Sequence, residues 1–82
     1  MKDYIISAFS YDFYKYKGKI SFKKMVGRKI KTYNVDFIYN TYSKYETFEI
    51  TAIPEEMKEY TYKIENIIIE IIKKIEEVKK WD

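Results

Sequence analysis

The sequence predicts an α+β fold, an antiparallel four-stranded β-meander with one long C-terminal helix packed on one face (ββββα). Three observations carry this. Four runs between residues 4 and 52 alternate apolar and polar side chains, with turn residues between them. Pro54 closes the last run, because it cannot continue a ladder and disfavours helix at the preceding Ile53. Beyond it, Met57, Tyr60, Ile64, Ile67, Ile68, Ile71, Ile75 and Val78 recur at three- and four-residue steps, the period of an amphipathic helix. Strands are expected at about 4–14, 19–26, 29–39 and 45–52, and a helix at about 55–80. A chain of 82 residues holds one core, so a single domain over 1–82 is expected.

The first turn is expected at Lys17-Gly18, a two-residue hairpin signal. That turn pairs Tyr16 with Lys19, Phe13 with Phe22 and Phe9 with Val26, and sets Asp12 opposite Lys23. Phe9, Tyr11, Phe13, Ile20, Phe22 and Val26 then share one face. Ser10, Asp12, Tyr14, Ser21, Lys23 and Met25 share the other. Gly27-Arg28 acts as a glycine-first turn that places Phe22 opposite Tyr33 and Ile20 opposite Val35. The apolar face thus continues through Tyr33, Val35 and Phe37. After the polar stretch Asn40-Thr41-Tyr42-Ser43, a fourth strand brings Phe48 and Ile50 beside Val35 and Phe37.

In the helix, Glu55 and Glu56 favour the positive end of the dipole, and Lys79 and Lys80 the negative end. Glu59–Lys63, Glu70–Lys74 and Glu76–Lys80 have i,i+4 spacing, which makes these charges a solvated face rather than a site. Twenty-five helical residues span roughly 37 Å, more than the width of four strands. The far end therefore overhangs unless the helix runs along the strands. Tyr62, Ile69, Ile75, Val78 and Trp81 are candidates for a dimer or partner contact there. The plainer alternative is an exposed isoleucine and a fraying tail.

Composition narrows function. With no cysteine there is no disulfide framework or thiolate metal site, and with no histidine the commonest general base is missing. No carboxylates have calcium-loop spacing. A non-catalytic protein with no metal and no cofactor is expected. Met1-Lys2-Asp3 leads straight into a strand-like run, and Ile67-Ile68-Ile69, the longest aliphatic run, is far too short for a membrane span. A cytoplasmic protein without a membrane partner is expected.

Charge placement gives the strongest functional signal. No acidic residue lies between Asp12 and Asp36, whereas Lys15, Lys17, Lys19, Lys23, Lys24, Arg28, Lys29 and Lys31 all do. Closeness in space is expected of them, with a strongly positive local potential. Tyr14 and Tyr16 are expected before the first turn on the face opposite the core, and Tyr39, Tyr42 and Tyr45 as a cluster at the opposite end of the sheet. Such a surface suits an acidic groove on another protein or nucleoprotein complex. It also suits single-stranded DNA or RNA, with lysines on phosphates and rings on bases. Edge lysines that merely keep a β-rich domain soluble are the third option. With Arg28 the single arginine and no recognition-helix signature, sequence-specific duplex binding is not expected.

Four strands followed by a helix is similar in architecture to the single-strand-binding dimers whose sheets grip nucleic acid and whose helices dimerise; none of their motifs occurs here. In kind, a short chain without catalytic residues and with patches of charge and tyrosine resembles the small inhibitors made by phages and mobile elements, anti-CRISPR proteins included. That resemblance implies a stoichiometric inhibitor or modulator of a nucleic-acid-processing machine. Inhibitors of that kind usually present acidic surfaces, whereas the patch here is basic.

Overall fold

The computed structural model describes residues 1–40 and 47–80, the side chains of 79 and 80 excepted. Its four antiparallel strands are β1 (Ile5–Asp12), β2 (Lys17–Val26), β3 (Lys29–Asn40) and β4 (Thr47–Ala52), in the order β1-β2-β3-β4. A 3₁₀ turn, Glu55–Tyr60, leads into the helix α1 (Thr61–Lys80). The expected ββββα fold is the observed one.

The β2–β3 hairpin has the expected register, with Ile20 opposite Val35 and Phe22 opposite Tyr33. Gly27 has φ +64° and Arg28 has no positive φ, the geometry of a glycine-first turn whose twist matches the strands.

The β1–β2 hairpin turns elsewhere. Its loop is Phe13–Tyr16, not Lys17-Gly18, and Phe9 lies opposite Ile20 instead of Val26. Asp12 therefore faces Lys17, not Lys23. The reason lies in the Asp12 side chain. Its Oδ1 accepts the Tyr14 N–H at 2.8 Å and the Lys15 N–H at 3.1 Å, while its carbonyl accepts the Tyr16 N–H at 2.8 Å. An aspartate that satisfies its own loop amides nucleates a turn without glycine. Tyr16 takes the left-handed conformation at φ +59°, and its carbonyl accepts the Tyr39 N–H at 2.8 Å. Sliding β2 by six residues, an even number, left every side chain on its expected face. A bulge at Ser7 restores the parity of Ile6, which lies opposite Phe22.

On β4, Ile50 lies opposite Phe37 and Phe48 opposite Tyr39, one pair further along than expected. The Asp36/Phe37 bulge lies beyond these pairs and moves the register one residue further, to Asp36 opposite Ala52.

The core is one layer of side chains between sheet and helix. Ile20, Phe22, Tyr33, Val35, Phe37 and Tyr39 come from the sheet, and Met57, Ile64, Ile68 and Ile72 from the other side. Burying each large side chain contributes about 1.5–3 kcal/mol. Phe37 is the aromatic centre, with ring centroids 5.9 Å from those of Phe9, Tyr11 and Phe48. The helix turns the expected stripe inward through Ile64 and Ile68 and adds Ile72, which that stripe did not include. Ile64, Ile68 and Ile72 are fully buried, while Ile67 and Ile71 are half-buried flanks. Ile69, expected on a second side, packs partly buried against this core. With isoleucine at seven positions between 64 and 75, period alone does not fix rotation. The 3₁₀ turn sets it by burying Met57, whose N–H donates to the Pro54 carbonyl at 2.9 Å.

Twenty α-helical residues measure about 30 Å, longer than the second dimension of the molecule, 25 Å, so α1 lies broadly along the 44 Å axis. That orientation limits the overhang to the last turns, where Ile75 is half-buried and Val78 is 64 % exposed. Among the described residues the closed ion pairs are Lys31–Glu56 and Lys58–Glu55, not Glu59–Lys63 or Glu70–Lys74. Exposed pairs that gain less than their side-chain entropy costs stay open.

Candidate binding surface

Strand alternation divides the basic residues, and the length of β2 separates them further. At the loop end, Lys15 lies in the Phe13–Tyr16 turn. Lys17 sits between Asp12 and Ile38, and Lys19 between Ser10 and Asp36, with Glu49 opposite Ile38. Cations and carboxylates alternate there, so the potential is balanced. Tyr14 is 94 % exposed at this end, and Tyr16 is half-buried. Two open depressions of about 510 and 340 Å³ adjoin Lys17. The first is lined by Ser10–Asp12, Phe13 and Tyr14, the second by Gly18, Asp36, Phe37, Ile38 and Thr51. Each sets Lys17 and one carboxylate, Asp12 or Asp36, in a shallow depression that opens to solvent.

The other end, the tip of the β2–β3 hairpin, lies about 30 Å away, ten strand residues along. Lys24 and Lys31 face each other on the helix side and serve the fold. The Lys24 ammonium lies 4.9 Å from the centre of the Tyr4 ring, and that of Lys31 5.1 Å from the centre of Tyr33. Lys31 also donates to Glu56 Oε1 at 2.7 Å, and the Tyr33 hydroxyl donates to Oε2 at 2.7 Å. Tyr4 packs edge-on against Tyr33 and Tyr60, which fastens the chain start and the 3₁₀ turn to the sheet. Lys23, Arg28 and Lys29 are exposed and carry no such contact.

Glu56 has a testable pH signature. The bond from Lys31, then that from Tyr33, holds its carboxyl below the ordinary value of 4.5. The same bonds to Glu56 raise the Lys31 ammonium and the Tyr33 hydroxyl above 10.5 and 10.0. A carboxylate with a depressed folded-state pKa contributes stability that is present above 4.5 and is lost as pH falls through the lower folded value. The acid limb of Glu56→Gln is therefore expected to be flatter than that of the wild type. Urea midpoints at neutral pH and at two values below 4.5 measure this; parallel acid limbs would remove Glu56 from the account. Both side chains are about half exposed, so added salt should shrink the difference.

Exposed apolar side chains mark the same tip. Of eight large hydrophobics exposed among the described residues, five lie at this end of the sheet. Met25 (59 %) and Ile30 (66 %) are cross-strand partners on the open face, and Val26 (49 %) ends β2. Ile5 (71 %) and Ile6 (44 %) adjoin them on β1. Sequence reasoning assigned Val26 to the core and gave Ile5 and Ile30 no role. The available signal was parity, because Ile30 alternates with Thr32, Asn34 and Asp36 rather than with Tyr33 and Val35.

The tyrosines are mostly structural. Tyr4, Tyr11, Tyr33, Tyr39 and Tyr60 are packed, and the Tyr11 hydroxyl donates to the Tyr39 carbonyl. Tyr62 is 75 % exposed on α1. Tyr42, Tyr45 and Trp81 lie outside the described residues. Of the proposed helix-end contacts, Tyr62 and Val78 are exposed, Ile75 is half-buried, and Ile69 belongs to the packing.

Among the described residues no three carboxylates converge as a metal site. No helix among them is long and apolar enough to cross a membrane. No protein-family model, no curated protein and no solved structure matches the chain.

Proposed function

We propose that this chain is a non-catalytic binding protein that docks the tip of its β2–β3 hairpin onto an acidic, apolar-centred surface of another protein. One observation carries the reading: Met25 and Ile30 are paired and exposed on the open face beside Lys23, and Val26, Arg28 and Lys29 are exposed at the turn that closes the same hairpin tip. An apolar centre with a charged rim is the anatomy of a protein interface, and the rim's sign selects an acidic partner. Single-strand binding is less well supported. The exposed Tyr14 ring lies at the far end of β2 from Arg28 and Lys29, so base stacking and these cations do not share one track. A binder without a reaction of its own acts by occupying its partner, one for one. This fits a stoichiometric inhibitor or modulator, a nucleic-acid-processing machine being the partner class suggested by the sequence.

The test uses a partner captured on the immobilised wild-type chain. Arg28→Glu/Lys29→Glu and, separately, Met25→Ser/Ile30→Ser are each expected to weaken its affinity roughly tenfold or more with unchanged thermal melting. Lys15→Glu/Lys17→Glu is expected to leave it unchanged. Full affinity in both tip variants, or loss in the loop-end variant, would reject the assignment. Lys24 and Lys31 are unsuitable probes, since they hold Tyr4, Tyr33 and Glu56.

A further inference from the structure

We infer that β1 is a self-association edge, through which a second copy of this chain pairs antiparallel across a two-fold axis. The argument rests on the sheet edge and its register, and shares only Ile5, Ile6 and Lys23 with the hairpin tip. The sheet has two edges, and they are treated differently. β4 is six residues long, has Glu49 in its middle and runs into Pro54, features that discourage strand addition. β1 is eight residues long, with no charge and no proline from Ile5 to Tyr11. Among the described residues no strand lies beyond it in the sheet. Its bulge lies near one end, which leaves Ala8–Asp12 regular.

Charge and parity select a second copy as the occupant. The strand β1 carries no lysine from Ile5 to Asp12, so two copies paired along it set no lysine against lysine in the ladder. A ladder centred on Phe9, with Ser7 left out as it is against β2, places Ser10 opposite Ala8 of the second copy. It also places Tyr11 opposite Ile6 and Asp12 opposite Ile5 of that copy. Each pair joins residues of the same face, so the helices of both copies stay on one side. Phe9 and Tyr11, half-buried at the present edge, gain cover from Phe9 and Ile6 of the other copy. Ile5 and Ile6, 71 % and 44 % exposed, gain cover in turn. Asp12, the one charged residue of β1, comes within two strand spacings, about 10 Å, of Lys23 in the other copy, a span that a lysine side chain reaches. By symmetry this complementarity occurs twice. The resulting eight-stranded sheet carries its two hairpin tips at opposite ends, so the dimer presents two docking sites.

Sedimentation of the full chain over a wide concentration range tests this. The mass is expected to rise from 10.1 kDa to twice that value. Ala8 and Ser10 are exposed on the open face, so charged side chains there leave the monomer's core intact. Ala8→Lys/Ser10→Lys sets lysine against lysine across the axis and is expected to weaken the dimer about tenfold or more. Ala8→Lys/Ser10→Glu sets lysine against glutamate and is expected to retain it. This second variant also guards against a fold defect in the first. A wild type that stays at 10.1 kDa throughout, or two variants that dimerise equally, would overturn the inference.

Discussion

Phe37→Ala is expected to cost about 3–5 kcal/mol, the largest effect of any single truncation in this domain. The residue is 1 % exposed, and its ring touches those of Phe9, Tyr11 and Phe48, three rings from the two edge strands. Removing it therefore loosens β1 and β4 together. Small domains have about 5–15 kcal/mol in total, so the variant should sit near its unfolding transition in dilute buffer. Urea or thermal melting followed by circular dichroism measures this. Val78→Ala, at a site 64 % exposed, is the control and should stay within about 0.5 kcal/mol of wild type. Equal losses in the two variants would mean that the aromatic cluster is not the core.

Gly18→Ala is expected to cost about 2–3 kcal/mol, for a reason opposite to that of Phe37→Ala. A Cβ at Gly18 would press into the Phe37 ring, 2.9 Å from Cε1, and lie 2.5 Å from the Ser10 carbonyl oxygen. The ring is held by three neighbouring rings, and the carbonyl belongs to the backbone of the neighbouring strand, so neither yields freely. Gly18 has no positive φ, so its absent side chain is what matters, and the hairpin closes because Phe37 lies flat over it. Gly27 is the converse case. Nothing lies within 4 Å of a Cβ there, but φ is +64°, so Gly27→Ala should cost about 1–2 kcal/mol through backbone strain alone. A double-mutant cycle separates the two terms at Gly18. In a Phe37→Leu background, Gly18→Ala should recover about 1 kcal/mol of its cost, the ring's share of the clash. Strict additivity would mean that the carbonyl carries the whole effect.

These two residues also show why the fold class was legible in the sequence and one hairpin was not. Lys17-Gly18 is a strong two-residue turn signal, whereas a turn built from an aspartate side chain and a left-handed tyrosine leaves little trace. Gly18 was needed for space rather than for a turn, and only the position of Phe37 reveals it. The architecture survived because a six-residue slide preserves the two faces. At Gly27-Arg28, turn chemistry and parity agreed, and that register stands residue for residue.

The surface was legible as a count of lysines but not as a map. Alternation sends Lys23 and Lys24 to opposite faces, and Glu56, which reads as a dipole-capping acid, reaches back across the fold to Lys31 and Tyr33. Local sequence contains no sign of a contact between residues 25 apart in the chain. The proposed docking site draws on Lys23, Arg28 and Lys29 beside an aliphatic pair. The aliphatic part, Met25 with Ile30, follows from the same parity that places Tyr33 and Val35 inside.

The most direct test of the hairpin tip as the docking site is site-specific photocrosslinking in the cells that make this protein. A photoreactive phenylalanine analogue is placed at Ile30 in one variant and at Tyr14, 94 % exposed at the loop end, in another. The account predicts one dominant protein adduct from position 30 and none from position 14, with the adduct lost when Arg28→Glu/Lys29→Glu is added. Adducts from position 14 alone, or a nucleic-acid adduct in place of a protein from position 30, would contradict it.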